Sequence, residues 1–280
     1  GGGKRTRRKS KEDSTVSKTS SQSNNTDSSN VGLQLLHLGC TSISPDSLYQ
    51  LLIGLGQDCP LRELSIPSNN IGPKGATLLV AFLEGKGIPK HKKGQAVMPK
   101  LDRLDMSNNN LGNDGTAKLT RAISKRVKVN IVDLRLSSND IGAGGVETIL
   151  NKLLQHNLVS LALDNNTIGD RGCQLVAASL TSMHHLAKLN LSFNQIRSRG
   201  VTTLMRALIG CESINYLGLS GNVMKISGAI AMGFALAQHP RLAELELDNC
   251  CLSQVAQCHI VAGIISNRWV PMKTMNGFRV

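Results

Sequence analysis

Three carboxylates near the C-terminal end of the sequence form its clearest candidate for a binding site. Glu244, Glu246 and Asp248 occupy alternate positions, so all three project from one face if this segment is a β-strand. They have no obvious basic neighbour, and we expect Tyr216 and Phe193 to lie beside them on preceding strands. Carboxylates with adjacent aromatic side chains favour a basic or arginine-rich protein segment as the partner.

Cysteine and histidine residues near the same end are the only group in the sequence that resembles a set of metal ligands. Cys250, Cys251, Cys258 and His259 match the spacing of no common zinc site, and Cys250 also fills a structural position in the repeat described below. The sequence contains no phosphate-binding loop, zinc-protease helix, Cys-x-x-Cys pair or nucleophile elbow. We therefore expect no metal and no cofactor, and we expect that the chain is not an enzyme.

Basic residues form a second candidate site. The net charge of +13 comes from seven cations against three anions in residues 1–30, five against one in residues 84–100, and five cations in residues 118–128. The candidate basic patch consists of Lys90, Lys92, Lys93, Arg121, Lys125 and Arg126. Contact with nucleic acid or a membrane is one interpretation, but aromatic residues that stack on bases make up only 2% of the chain. A charged surface that contacts only solvent is the simpler interpretation.

A repeated pattern provides the elements that must position these side chains. Its template is Leu-x-x-Leu-x-Leu-x-x-Asn-x-Leu, with Ile or Met replacing some leucines. Eight copies begin at residues 33, 61, 101, 131, 158, 186, 214 and 242, with spacings of 28, 40, 30, 27, 28, 28 and 28. The alternating apolar positions predict a short strand, and the apolar residues spaced three and four apart after it predict a helix. Stacked units of this kind predict an α/β solenoid of about eight 28-residue repeats, a horseshoe with a parallel sheet on its concave face and helices on its convex face.

An asparagine occupies the ninth position of six repeats. A turn buried between stacked units needs both a hydrogen-bond donor and an acceptor, and an amide side chain provides both. We therefore predict a structural ladder of Asn69, Asn109, Asn139, Asn166, Asn194 and Asn222, with Thr41 and Cys250 in the same position of the first and last repeats. Paired glycines follow the ladder. We predict that the first of each pair, Gly72, Gly112, Gly142 or Gly169, has a positive φ and that the second allows close helix packing.

The pattern Leu-x-x-Leu-x-Leu-x-x-Asn-x-Ile-Gly-x-x-Gly with its 28-residue period resembles the ribonuclease-inhibitor-like class of leucine-rich repeats. The resemblance covers residues 33–266. This class includes the Ran GTPase-activating protein, the repeats of NOD-like receptors and actin regulators of the CARMIL type. The resemblance implies a non-catalytic interaction scaffold, part of a larger protein, that binds a protein partner on its concave face. A small GTPase or a cytoskeletal protein as the partner, with GTPase-activating or actin-regulatory activity, is the alternative.

Surface positions of the strands carry charges of both signs. Since neighbouring parallel strands lie about 4.8 Å apart, we expect Glu63, Arg103 and Asp133 to pair laterally, and Asp105 to pair with Arg135. These pairs are compatible with a self-neutralised surface and with a binding site.

The N-terminal segment differs from the repeats in composition. Residues 1–30 contain a basic run followed by a Ser/Thr/Asn-rich tract, so we expect a disordered tail or linker ahead of a leucine-rich-repeat domain at 31–280, which carries an inserted basic loop at 84–100. The basic run resembles a nuclear localisation signal, although a charged linker has the same composition. Seven scattered cysteines favour unpaired thiols and a cytoplasmic location, with a nuclear location as the alternative.

At the C-terminal end the strand pattern begins again, with Val270 in the first position and Met275 in the sixth. No helix pattern follows, and the segment contains Trp269, the single tryptophan of the chain. A solenoid needs a polar cap on its last unit. We therefore expect the natural protein to continue past Val280, residues 1–30 to join an upstream part, and apolar surface to be exposed at this end.

Overall fold

The computed structural model describes residues 32–55, 59–84, 86, 101–125, 130–153, 157–269, 273–276 and 278–279, together with Gly1. The predictions for residues 1–30 lie outside the described residues, as do those for the inserted loop apart from residues 84 and 86.

Short strands and longer helices alternate along the chain. The strands are β1 (Leu35–His37), β2 (Glu63–Ser65), β3 (Arg103–Asp105), β4 (Asp133–Arg135), β5 (Ser160–Ala162), β6 (Lys188–Asn190), β7 (Tyr216–Gly218), β8 (Glu244–Glu246), β9 (Thr274–Met275) and β10 (Phe278–Arg279). The helices are α1 (Pro45–Leu55), α2 (Gly72–Leu83), α3 (Gly112–Ser124), α4 (Ala143–Leu153), α5 (Gly169–Leu180), α6 (Ser198–Ile209), α7 (Ile226–Gln238) and α8 (Gln254–Ser266).

The strands form one sheet in the order in which they occur in the sequence. β1 to β9 pair in parallel, each with the next, and β10 returns antiparallel to β9. Equivalent repeat positions face one another, as in the register of Leu36 with Leu64 and of Leu64 with Leu104. Parallel sheet with one crossover helix per strand is the predicted α/β solenoid, and the predicted fold class is confirmed.

The core lies between the sheet and the layer of helices. Strand positions four and six point into it, and Leu64, Ile66, Leu134 and Leu136 are at most 1% exposed. The helices contribute the opposite wall through residues such as Leu79. Each fully buried aliphatic side chain contributes about 2 kcal/mol through the hydrophobic effect, so a continuous aliphatic core replaces the aromatic core that the composition excludes.

The ladder asparagines lie in the turns that follow the strands, and all six are at most 6% exposed. Asn139 illustrates their bonding. Its Oδ1 accepts from the backbone N–H of Asn109 at 3.0 Å and of Leu111 at 3.2 Å, and its Nδ2 donates to the carbonyl oxygens of Met106 and Ser137. The amide therefore joins one repeat to the preceding one and satisfies backbone groups that water does not reach.

The first glycine after the ladder has a positive φ at Gly72, Gly112 and Gly169, as predicted, but not at Gly142. The fourth repeat differs because the Oδ1 of Asn113 accepts from the backbone N–H groups of both Gly142 and Gly145, each at 2.9 Å. This side chain caps α4 from the neighbouring repeat, and the helix begins one residue later.

The register predicted for the C-terminal segment is wrong by two residues. Met275 pairs with Leu245, which is the fourth position of its repeat, and not with the sixth position. Val270 lies outside the described residues, and Trp269 is 72% exposed. Met275 also differs from the equivalent residues of the earlier repeats in its second partner, because it pairs antiparallel with Phe278 of β10.

Candidate functional site: the concave face

The third, fifth and seventh positions of each repeat project from the concave face of the sheet. Because the strands are in register, these positions form three rows that run across the whole sheet. Charges in the N-terminal half of these rows are paired with one another, whereas those in the C-terminal half are not. The two halves are described in turn.

In the N-terminal half, charged side chains neutralise one another. Glu63 accepts from His37 Nε2 at 2.8 Å and from Arg103 at 3.4 Å, across three neighbouring strands. Arg135 does not bond to Asp105 as predicted, because its guanidinium instead binds Asp133 of the same strand through Nε and Nη2, at 3.4 and 3.0 Å. Arg103 and Asp133 pair in the sheet, but among the described residues Asp133 forms its ion pair with Arg135, and this two-point contact raises the pKa of Arg135.

The C-terminal half carries an acidic site, which we define as Glu244, Glu246, Asp248, Tyr216 and Asp164. Glu244 and Glu246 lie on β8, and Asp248 follows two residues later. Among the residues that the structure describes, none of these four carboxylates has a salt bridge to a lysine, arginine or histidine. Glu244 and Asp248 are exposed and Glu246 is half-buried, so a ligand can reach them.

Tyr216 connects two strands within the acidic site. It pairs with Glu244 in the sheet, and its hydroxyl forms a hydrogen bond with the carboxylate of Glu246. Burial raises the pKa of the Tyr216 phenol, and the bond to Glu246 and the charges of Glu246, Asp164 and Glu244 raise it further. In the sheet Tyr216 lies between Glu244 of β8 and Lys188 of β6, and its phenol stays a hydrogen-bond donor at neutral pH.

Asp164 closes the acidic site on the side of β5. Its Oδ1 accepts from Ser137 Oγ at 2.7 Å and from Asn190 Nδ2 at 3.1 Å, and its Oδ2 accepts from Asn165 Nδ2 at 3.0 Å. These donors are neutral, so they hold the carboxylate in place without pairing its negative charge with a positive one. We did not identify Asp164 as a site residue from the sequence, although it occupies the surface-facing seventh position of its repeat.

The surface between Asp164 and β8 is closed at Gly218, the fifth position of the seventh repeat. A Cβ at Gly218 would collide with the Oδ1 of Asn190 and lie 3.0 Å from the Oγ of Ser192, so the Asn190 side chain fills the space above this glycine. The Ser192 side chain is buried, and its Oγ is the single buried side-chain polar atom without a hydrogen-bond partner among the described residues.

Phe193 is the second aromatic residue that the sequence predicted beside the three carboxylates, and it lies in a turn of the sixth repeat. Lys188 is the residue that pairs with Tyr216, and Phe193 follows five residues later, in the turn after β6. There its ring occupies the space above Gly221, and it is 46% exposed. Phe193 therefore marks the rim of the concave face, away from the centre of the acidic site.

The basic patch is described only in part. Arg121 and Lys125 are exposed at the C-terminal end of α3, on the helical side of the repeat. Lys90, Lys92, Lys93 and Arg126 lie outside the described residues. The described part of the patch is therefore separate from the concave face.

The cysteines are all free thiols. Cys250 is buried, with its Sγ 3.3 Å from the carbonyl oxygen of Leu219, whereas Cys251 and Cys258 are exposed. In the described part of the chain, no three His, Cys, Asp or Glu side chains are arranged to hold a metal ion. Within the same residues, no helix has the length and apolar character required to span a membrane.

Comparison with known proteins identifies the repeat. A family model described as a leucine-rich repeat matches residues 57–80, 97–119, 128–150, 155–177 and 182–205, which contain the strands and much of the helices of five successive units. The chain is built from leucine-rich repeats. Within this leucine-rich-repeat array, the acidic site consists of residues on β7 and β8, Asp248 after β8, and Asp164 after β5.

Solved structures with similar folds are also known. A chain from the crystal structure of the Rad7 and Elc1 complex in yeast has a TM-score of 0.51 at 15% identity, over 88% of this chain and 63% of that chain. An internalin of Listeria monocytogenes has a TM-score of 0.36 at 15% identity, over 75% of this chain and 68% of its own. A chain of the TLR13–ssRNA13 complex has a TM-score of 0.36 at 13% identity, over 75% of this chain and 32% of its own. The first of these shows similarity of fold alone, and this chain spans about 63% of its length.

Proposed function

We propose that this leucine-rich-repeat array is a non-catalytic scaffold that binds a protein partner through a basic segment on its concave acidic site. The observation that carries the proposal is the cluster of four carboxylates without a basic partner among the described residues. In the N-terminal half of the same face, Glu63 and Asp133 are already paired. Charge complementarity therefore favours a cationic ligand at one end of the face only.

The geometry favours arginine over lysine as the ligand side chain. Glu246 lies on β8 and Asp164 follows β5, on the other side of β7 in the sheet, and both carboxylates contribute to the raised pKa of Tyr216. A planar guanidinium can bind a carboxylate at two points and stack on an aromatic ring at the same time.

Two finer assignments form part of the same proposal. The helix of three turns or more in α2 to α8 and the 28-residue period support the ribonuclease-inhibitor-like subtype of the repeat. The first structural neighbour comes from a complex of two proteins, Rad7 and Elc1, which is consistent with a role in protein binding. Small GTPases and cytoskeletal proteins are the partner classes that the sequence resemblance favours.

A labelled arginine-rich peptide provides the test. We expect the full chain to bind this peptide, and Glu244→Gln, Glu246→Gln and Asp248→Asn together to weaken binding about tenfold, because each exposed ion pair contributes roughly 0.2–1 kcal/mol. Glu147→Gln is the matched control, since Glu147 is an exposed carboxylate on the convex side of α4. Equal binding by the triple variant and the wild type would show that the acidic site is not the binding surface.

A further inference from the structure

Helices α7 and α8 differ from the other helices in their outer surfaces. Neither contains an aspartate, glutamate, lysine or arginine over its 13 residues. On α7, Ile226, Ile230 and Phe234 recur at every fourth residue and are 45%, 47% and 63% exposed. At the same positions the other central helices carry polar or small residues, namely Ser198, Thr202 and Arg206 on α6, Asp170, Gln174 and Ala178 on α5, and Ala143, Glu147 and Asn151 on α4.

The exposed apolar surface continues across α8. Val255 and Ile265 are 55% and 79% exposed, and Trp269 follows the end of the helix. The two helices are packed unusually closely, because a Cβ on Gly263 would collide with the backbone carbonyl oxygen of Gly233. Close backbone contact places the outer side chains of both helices on one continuous surface, which we call the convex apolar patch (Ile226, Ile230, Phe234, Val255, Ile265 and Trp269).

Cations surround this patch. Lys225 precedes α7 directly, Arg206 occupies the position on α6 that Phe234 occupies on the adjacent α7, and Arg268 lies between α8 and Trp269. All three are exposed, and none has an ion pair with a described residue. The carboxylates of β8, by contrast, project from the opposite face of the sheet. The convex apolar patch is therefore flanked by cations, whereas the carboxylates of β8 lie on the concave side, where Lys188 of β6 is also exposed.

We infer that the convex apolar patch docks on a membrane surface that contains anionic lipids. Exposed isoleucine and phenylalanine side chains enter the boundary between headgroups and acyl chains, while lysine and arginine contact the lipid phosphates. Tryptophan has its lowest free energy at this same level of the bilayer. A protein partner would need acidic residues placed around an apolar centre, whereas an anionic bilayer offers both properties over any area. This surface is distinct from the acidic site, so the scaffold can hold a basic partner while it lies on the lipid.

Vesicle binding by the full chain tests the inference. We expect the protein to sediment with vesicles of phosphatidylcholine and phosphatidylserine, but weakly with phosphatidylcholine alone. Because Trp269 is the only tryptophan, its fluorescence should shift to shorter wavelength on binding and should be quenched by brominated lipid. This signal distinguishes the patch from any basic segment elsewhere in the chain, because binding through such a segment would leave the fluorescence of Trp269 unchanged.

Two variants with separate effects make the test specific. Ile230→Ser with Phe234→Ser should weaken vesicle binding about tenfold or more through lost apolar contact, and Arg206→Ala with Lys225→Ala should weaken it by a similar factor on anionic vesicles only. Leu35→Ser is the control, since Leu35 is a 57% exposed apolar residue on β1. Undiminished binding by both double variants, absence of binding by the wild type, or dimerisation through the patch in solution would each overturn the inference.

Discussion

The Nε2 atom of His239 lies 2.6 Å from the carbonyl oxygen of Cys211, one repeat earlier in the chain. The other ring nitrogen, Nδ1, accepts from the backbone N–H groups of Arg241 at 3.2 Å and Leu242 at 2.9 Å. These partners require a neutral imidazole with its proton on Nε2, because Nδ1 must accept. His239 is fully buried, and it joins the seventh repeat to the sixth, as Asn222 of the ladder also does.

We predict that His239 makes stability depend on pH. Burial lowers the pKa of His239, although its bond to Cys211 and the charge of Glu212 act in the opposite direction. The unfolded chain therefore binds a proton at higher pH than the folded chain does, and stability increases with pH in that range. The contribution of neutral His239 to the free energy of unfolding is complete above about pH 6.5, and it decreases as the pH falls towards the pKa of His239 in the folded state.

Urea unfolding at several pH values measures this effect. His239→Gln should remove the decrease in the free energy of unfolding that begins below about pH 6.5, and it should also destabilise the protein at neutral pH. His185→Gln is the control, because His185 is exposed on a loop. An unchanged pH profile in His239→Gln would contradict the prediction.

The ladder predicts a large effect of a nearly isosteric change. Asn139→Leu should lower the free energy of unfolding by roughly 3 kcal/mol or more, because several buried backbone groups lose their partners at about 1–3 kcal/mol each. Asn151→Leu, at an exposed position of α4, should change stability by less than about 0.5 kcal/mol. Similar free energies of unfolding for the two variants would show that the ladder contributes little.

Two glycine-to-alanine changes in helices should have opposite signs. Gly263→Ala places a methyl group against the backbone of Gly233, so α7 and α8 must separate and the protein should be destabilised. Gly54→Ala meets no atom within 4 Å in α1 and should stabilise the protein by about 0.5–1 kcal/mol through helix propensity. Thermal unfolding of both variants provides the measurement, and stabilisation by Gly263→Ala would contradict the close packing of α7 against α8.

Tyr216 should ionise only well above its ordinary pKa of about 10. Burial and the neighbouring carboxylates raise this pKa, so the phenol of Tyr216 should remain protonated when a free tyrosine is already charged. Ultraviolet titration of the Tyr49→Phe variant isolates Tyr216, since the chain has two tyrosines. Adding Glu246→Gln should lower the pKa of Tyr216. If Tyr216 titrates near its ordinary pKa in both variants, the carboxylates do not affect it.

The repeat period made most of the fold predictable from sequence. Leu64, Leu104 and Leu134 share a position in the template and pair in the sheet, since identical units stack with identical register. The predicted positive φ at Gly142 and the predicted repeat position of Met275 were wrong. In each case the template lacks a contact that the structure contains: the cap from Asn113 at Gly142, and the pairing of β9 with β10 at Met275.

The candidate site was less predictable because side-chain partners depend on rotamers. Repeat positions placed Glu244 next to Tyr216, but they did not indicate that Arg135 would bind Asp133 in place of Asp105. They also gave no reason to select Asp164, whose carboxylate is held by the side chains of Ser137, Asn190 and Asn165. Phe193 lies over Gly221, in the turn after β6, so its place beside the carboxylates stays a prediction.

Capture of a partner from native lysate tests the central claim most directly. Full-length protein carrying Glu246→Lys, placed next to Tyr216 at the centre of the acidic site, should lose a protein that the wild type retains. Glu147→Lys reverses the same charge on the convex side of α4 and should retain that protein. Recovery of every partner by Glu246→Lys at wild-type levels would contradict recognition of a basic segment on the concave face.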